Sequence, residues 1–136
     1  MHERLSVTIK YQHNKAVRAE FAKHIEERKQ LEFSDGNLMI VQPKQLSDIA
    51  YEGKALSHCV GGYAERNAKG DLSIMFIRKK SEPDKPYYTM EVSADGKIVQ
   101  VRGKRNIAPG EDVDALIKDY KTHLEKIFSD KRRKTA

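Results

Sequence analysis

The sequence has a single cysteine, Cys59, among 136 residues. An internal disulfide is therefore excluded, and without a second cysteine nearby we expect no structural zinc site. The longest apolar runs, such as Ile74–Ile77, span only four residues, which is far too short to cross a bilayer. The first six residues contain no apolar stretch of signal-peptide length. These absences lead us to expect a cytoplasmic protein with no membrane partner.

Signatures of metal sites and of common catalytic sites are also missing. No GxSxG motif marks a serine hydrolase, and Glu91, the one carboxylate that we consider for acid–base chemistry, has no obvious second carboxylate. The histidines show no HxxxH spacing and no carboxylate cluster accompanies them; they are His2, His13, His24, His58 and His123. We therefore predict no bound metal and no cofactor.

Basic residues outnumber acidic ones by 26 to 20, which gives a net charge of +6. Four of them stand together at Lys131–Lys134, and without these four the balance is 22 to 20. The body of the protein is thus nearly neutral. The basic tail at 131–136 either adds unspecific affinity for polyanions or is a solubilising chain end. The length suits one domain, which we place at 1–130.

The hydrophobic spacing predicts four helices. Apolar residues recur at helical intervals over 14–29, 43–52 and 113–128, and a short helix is predicted over 63–68. Pro43 suits a first helical turn, and Gly53 is a typical helix terminator. The last helix begins with acidic residues, which favour the positive end of the helix dipole.

Alternating patterns predict strands at Leu72–Arg78, Tyr87–Ser93 and Lys97–Arg102, and a hairpin that turns at 34–37. A two-residue turn at 95–96 gives the register of the last two strands as Val92–Val99, Met90–Val101, Glu91–Gln100 and Thr89–Arg102. One face of this meander is apolar and the other is expected to be wet. The predicted fold class is α+β, a short antiparallel β-meander packed by N-terminal, central and C-terminal helices.

Four segments together form a long and specific pattern. They are Glu52–Tyr63, which reads EGKALSHCVGGY, then Ile77-Arg78, Pro86–Val92 and Gln100–Asn106. In this pattern the chain resembles the PcfJ-like family, whose proteins occur on conjugative plasmids, phages and other mobile elements. The resemblance covers about residues 30–121 and implies a C-terminal domain of longer members. It implies no particular activity.

The segment from His58 to Tyr63 holds two candidates for chemistry. Cys59 is a possible nucleophile if nearby amides lower its pKa, although a single intracellular cysteine also fits a buried small hydrophobe. His58, its neighbour in sequence, is poorly placed as its base. Gly61 and Gly62 before Tyr63 form either a cradle for a phosphate or a tight turn between helices.

The third candidate is the predicted wet face of the sheet and the loop that follows it. Arginine, glutamine and asparagine grip phosphates and base edges, and a tyrosine can stack on a base. An ordinary solvated face with a Glu91–Arg102 contact is the alternative. No acidic residue falls between Lys97 and Arg105. The candidate binding residues here are Tyr87, Gln100, Arg102, Lys104, Arg105 and Asn106.

Three hypotheses for function follow. The first is a small binding module of a mobile element that engages nucleic acid or a nucleoprotein complex through the basic strand end. The second is an enzyme with a phosphate or nucleotide pocket that uses the His58–Tyr63 segment. The third is a phage-encoded inhibitor that binds a host protein. The first two depend on one geometric expectation, namely that the segment after Ser57 and the loop after Arg102 converge on one cleft.

Overall fold

A five-stranded antiparallel sheet forms the centre of the computed structural model, which describes the backbone of residues 15–56 and 63–135 and the side chains of 15–56 and 66–130. The strands follow chain order across the sheet. Their bounds are β1 Phe33–Ser34, β2 Leu38–Val41, β3 Leu72–Lys79, β4 Tyr88–Ser93 and β5 Ile98–Arg102. The predicted meander and the predicted hairpin are therefore confirmed as parts of one sheet.

Four helices accompany the sheet in the described part of the chain, which confirms the α+β class. They are α1 Lys15–Arg28, α2 Leu46–Ala55, α3 Tyr63–Lys69 and α4 Glu111–Thr135, and short 3-10 turns lie at Lys29–Leu31 and Lys104–Asn106. The predicted bounds of α2 are wrong at both ends. Asp48 Oδ2 accepts the N–H groups of Lys44 and Gln45, both at 3.2 Å, so the helix starts beyond Pro43. Gly53 is buried inside the helix and does not end it.

The long helix α4 packs across one face of the sheet, as predicted. It buries Val113, Leu116, Tyr120 and Leu124 against β2 to β5. The Tyr120 hydroxyl donates a hydrogen bond to the carbonyl of Leu31, and burial raises the pKa of this phenol. No glycine or proline interrupts the sequence after Gly110, and the helix continues through the basic residues to Thr135.

On the opposite face of the sheet, α1, α2 and α3 pack over β3. The prediction of a wet face is wrong for β4, whereas Arg102 of β5 is exposed as predicted. Phe21, Leu46, Ile49 and Ala68 of these helices form a second core with three residues of β3. On β4, Thr89 is only 5% exposed and Glu91 only 8% exposed. The reason is visible in β3, where the run Ile74–Ile77 does not alternate because apolar residues are needed on both faces.

The predicted register of β4 and β5 is confirmed at three of its four pairs. Thr89–Arg102, Met90–Val101 and Glu91–Gln100 are partners. The fourth pair is wrong, because a bulge between Glu91 and Val92 makes Val92 the partner of Ile98. Val99 is left 55% exposed. A bulge of this kind adds one residue to a strand and increases its twist.

Candidate functional site

The antiparallel topology brings two distant basic clusters to one end of the sheet. Strands β3 and β5 end there, and β4 begins there. Because alternate strands of such a sheet run in opposite directions, the residues after β3 and those after β5 become neighbours. We call this region the basic end and define it by six exposed side chains: Lys79, Lys80, Lys85, Arg102, Lys104 and Arg105. Lys97, at the start of β5, lies at the other end of the sheet.

A groove of about 270 Å³ opens at the basic end. Lys79, Lys85 and Lys104 line it together, so lysines from three separate segments face one space. The rest of its lining includes apolar side chains, among them Leu56 and Ile107, and one carboxylate, Glu82. The arrangement combines positive charge with apolar surface, which suits a ligand that carries both anionic and apolar parts.

The loop after β5 has an unusual backbone. Arg105 and Asn106 both have positive φ, 56° and 64°. Residues other than glycine rarely adopt this backbone conformation. Such strain persists only where surrounding structure fixes it, and it is typical of functional loops. The loop needs a glycine at position 103, because a Cβ there would lie 2.8 Å from the Tyr88 ring.

Hydrogen bonds hold this loop rigid. The N–H of Arg105 donates to the carbonyl of Leu56 at 2.6 Å, that of Asn106 to Gly103 at 3.0 Å, and that of Ile107 to Lys104 at 3.2 Å. These amides are already engaged, so they cannot form an anion-binding backbone nest. An anion at this loop would therefore contact the basic side chains.

The bond between Arg105 and Leu56 bears on the expected convergence of two motifs. Leu56 immediately precedes the segment Ser57–Gly62, which lies outside the described residues together with the candidates His58, Cys59, Gly61 and Gly62. Tyr63 begins α3, and its side chain is likewise not described. The chain thus enters this segment at the basic end, and the roles of these candidates stay predictions.

Tyr87 is more constrained than its predicted role as a stacking platform requires. Its hydroxyl donates to Asp112 Oδ2 at 2.6 Å, and this hydrogen bond is the main cause that raises the pKa of Tyr87 to about 12. Lys79 Nζ lies 4.7 Å from the ring centroid, a cation–π distance. Lys79 therefore occupies one face of the Tyr87 ring, and both residues line the groove.

A polar strip crosses β4 and β5 beside the basic end, formed by Thr89, Glu91, Gln100 and Arg102. The buried Thr89 hydroxyl has no hydrogen-bond partner among the described residues. The Arg102 guanidinium donates to the carbonyl of Val101 at 2.8 Å, and the ion pairs of the described side chains include no contact between Arg102 and Glu91. A buried hydroxyl without a partner is typical of a place where a ligand or ordered water binds.

Sequence reasoning missed a buried ion pair. Arg78 donates to both carboxylate oxygens of Glu52, at 2.5 and 2.6 Å, and joins β3 to α2. Burial raises the pKa of Glu52, while the contact with Arg78 acts in the opposite direction. The pair lines a larger cleft of about 700 Å³. Its charge is internally neutralised, so Arg78 does not belong with the basic residues that follow it.

A signal for this pair was present in the sequence. Glu52 opens the first segment of the family pattern, and Arg78 closes the second. An arginine and a carboxylate form a bidentate pair when the fold brings them together. Spacing alone gives no reason to join them, because the contact depends on how α2 crosses the sheet.

The described residues contain neither a metal-ligand cluster nor a membrane-spanning helix. Among the side chains of 15–56 and 66–130, no group of three or more histidines or acidic residues could hold a metal ion. No helix in the described part of the chain has the length and apolarity needed to cross a membrane.

Comparisons with known proteins give a family and no activity. A relative from Listeria innocua, named "Uncharacterized protein Lin1253/Lin1744", is 40% identical over 103 residues. The match covers 74% of this chain but only 22% of that relative. No solved structure matches the chain. The family described as PcfJ-like protein matches residues 1–117, which confirms the resemblance seen in the sequence pattern, and the chain belongs to this family.

Proposed function

We propose that this domain binds nucleic acid through the basic end. The observation that supports the proposal is the meeting of six exposed cationic side chains from three segments of the chain. The acidic residues near them include Glu82 and Asp84, with Glu82 3.6 Å from Lys85, and Asp112, which accepts from Tyr87. The local balance is therefore positive, whereas the body of the protein as a whole is nearly neutral.

The side chains of the basic end suit contacts with phosphates. Lysine and arginine neutralise backbone phosphates and release condensed counterions, which gives affinity without sequence specificity. Arg105 is held in a fixed backbone conformation, so the point from which its exposed side chain leaves the loop is defined. The groove between Lys79 and Lys104 contains exposed Ile107, an apolar contact for a base or a sugar. In a plasmid or phage setting, such a module would engage DNA or a nucleoprotein complex.

A salt titration with variants tests this function. Binding of a fluorescent single strand and of a duplex, each about 20 nucleotides long, is measured by anisotropy from about 50 to 200 mM salt. The test variant is Lys79→Ala/Lys104→Ala. The control is Lys121→Ala/Lys126→Ala, which removes the same charge from exposed positions on α4. We expect the test variant to lower the slope of log K against log salt by about 1.5 to 2.

Two results would overturn the proposal. One is the absence of binding to either nucleic acid at the lowest salt. The other is equal loss of affinity in the test and control variants, because unspecific attraction to net charge would then account for all binding. Removal of Lys131–Lys134 in a third variant separates the contribution of the chain end from that of the sheet.

A second candidate function is an enzyme or nucleotide-binding protein that uses the side chains of the polar strip. Thr89 and Glu91 favour it, since both are buried polar side chains on one face of β4. Mononucleotide binding by calorimetry tests this candidate, with Thr89→Val as the variant that removes only the hydroxyl. Alkylation of Cys59 in the folded protein tests whether the thiol is reactive. An inert thiol together with no nucleotide binding would exclude this candidate.

A further inference from the structure

Arg28, the last residue of α1, is a buried cation without an ion-pair partner among the described residues. Its side chain is only 4% exposed. Its Nε donates to Ser73 Oγ at 2.9 Å, and its Nη2 donates to the carbonyls of Leu72, at 3.2 Å, and Asn67. The remaining nitrogen, Nη1, is buried and has no hydrogen-bond partner in the described part of the chain.

The buried charge of Arg28 should therefore destabilise the fold when no anion accompanies it. Burying a charge costs much free energy unless the charge is paired and its donors are satisfied. The pKa of Arg28 is lowered to about 10 by burial, and the charge of Glu27 only partly opposes this effect. The other buried arginine of the described chain, Arg78, has a bidentate carboxylate partner. Arg28 has hydroxyl and carbonyl partners, none of which carries a negative charge.

Arg28 lines a small pocket of about 130 Å³ together with Ser73, His24, Gly70 and the carboxylate of Glu27. The Ser73 oxygen accepts from Arg28, so its hydroxyl hydrogen remains available for a ligand. The His24 ring lies at the mouth with Nδ1 3.0 Å from Glu27 Oε2. Gly70 has φ +84°, and a Cβ there would come within 2.8 Å of the His24 ring.

We infer that this pocket binds one phosphate-sized oxyanion through Arg28 Nη1 and the Ser73 hydroxyl. A tetrahedral oxyanion accepts from both donors and supplies the missing negative charge, whereas a water molecule could accept from them but would leave the charge of Arg28 unpaired. The chemistry is common to free inorganic phosphate and to the phosphate of a small monoester. The pocket also includes Ser93, at the end of β4, so it lies at the end of the sheet opposite the basic end. The inference is therefore independent of the proposed function.

Thermal unfolding with added phosphate tests the inference. The melting temperature is measured with inorganic phosphate, with glycerol phosphate, and with sodium chloride at equal ionic strength. At ten times the Kd we expect a rise of about 5 °C above the chloride reference. A rise with both phosphates means that the free anion suffices, and a rise with the ester alone means that the phosphate belongs to a larger ligand.

Variants separate the site from the general stabilising effect of phosphate salts. Ser73→Ala removes one donor at a half-buried position and should lose most of the rise. Arg28→Lys should lose it as well, and if that variant fails to fold, the serine variant still decides. Lys79→Ala/Lys104→Ala should keep the full rise, because it changes only the basic end. No rise above chloride, or an equal rise in Ser73→Ala and the wild type, would overturn the inference.

Discussion

The backbone N–H of Arg105 donates a 2.6 Å hydrogen bond to the carbonyl of Leu56. This contact joins the loop after β5 to the last described residue before Ser57. Two segments of the family pattern, far apart in the chain, therefore meet at a backbone bond that does not depend on side-chain identity. Both segments belong to the pattern by which the chain resembles its family, and the fold places them in contact.

The left-handed conformation of Arg105 leads to the first prediction. Arg105→Gly should leave the free energy of unfolding unchanged or raise it by up to about 1 kcal/mol, because glycine adopts positive φ without strain. The same variant should weaken nucleic-acid binding through loss of the guanidinium. Urea unfolding and anisotropy measure the two effects separately. A clear loss of stability would show that the arginine side chain, not its backbone, holds the loop.

The buried pair Glu52–Arg78 gives the second prediction. Glu52→Leu should lower the free energy of unfolding by about 3 to 5 kcal/mol, since it leaves a buried guanidinium without its carboxylate. The double variant Glu52→Leu/Arg78→Met should recover most of this loss, because apolar residues can replace a buried ion pair. Urea unfolding of Glu52→Leu, of Arg78→Met and of the double variant measures the coupling. Additive effects of the single changes would contradict the close pairing seen in the structure.

The third prediction concerns the titration of Tyr87. Asp112→Asn should move the pKa of Tyr87 from about 12 back toward its ordinary value, because Asp112 is the main cause of the shift. The sign for stability follows. A folded-state pKa above the unfolded one means that the Tyr87 hydrogen bond stabilises the fold at neutral pH and is lost as pH rises through about 12. Ultraviolet difference titration of the tyrosines measures the shift.

A control keeps that titration specific. Asp119→Asn removes an exposed carboxylate from the same helix and should leave the Tyr87 titration in place. An identical curve for Asp112→Asn and the wild type would show that the hydroxyl does not donate to Asp112 in solution.

The fourth prediction concerns two glycines in turns. Gly96 has φ +86°, and a Cβ there would lie 2.5 Å from the Phe128 ring. Gly96→Ala should lower the free energy of unfolding by more than about 1 kcal/mol, from backbone strain and from displacement of Phe128. Gly36→Ala is the control, since a Cβ there meets no atom within 4 Å. Equal stabilities of the two variants would mean that α4 does not pack on the β4–β5 turn.

The strands and helices were largely predictable because they depend on local pattern. The Asp35 side chain shows why the first hairpin was clear, since its Oδ1 accepts from Asn37 and Leu38, at 2.9 and 2.7 Å, within a single turn. The wrong predictions concern features that depend on contacts between residues far apart in the sequence. Gly53 continues a helix because tertiary packing outweighs its weak propensity, and the bulge at Val92 cannot be read from alternation alone.

The candidate site was only partly predictable for a similar reason. The cations of the β5 loop stood out as a run without acids, but their meeting with Lys79 and Lys85 follows from sheet order. Arg28 and Thr89 look like ordinary polar residues in the sequence. Their unpaired atoms become visible only when burial and partners are counted in the folded chain.

The bulge in the β4–β5 pair has a consequence for the outer rim of the sheet. Strand β5 lies at one side of the strand order, where a regular strand would offer its free amides and carbonyls to a second molecule. The bulge increases the twist of this edge strand. Lys97 and Arg102 lie near its two ends, and their positive charges would repel those of a second copy that paired with it. The protein should therefore resist edge-to-edge self-association at high concentration, even with Val99 turned toward water.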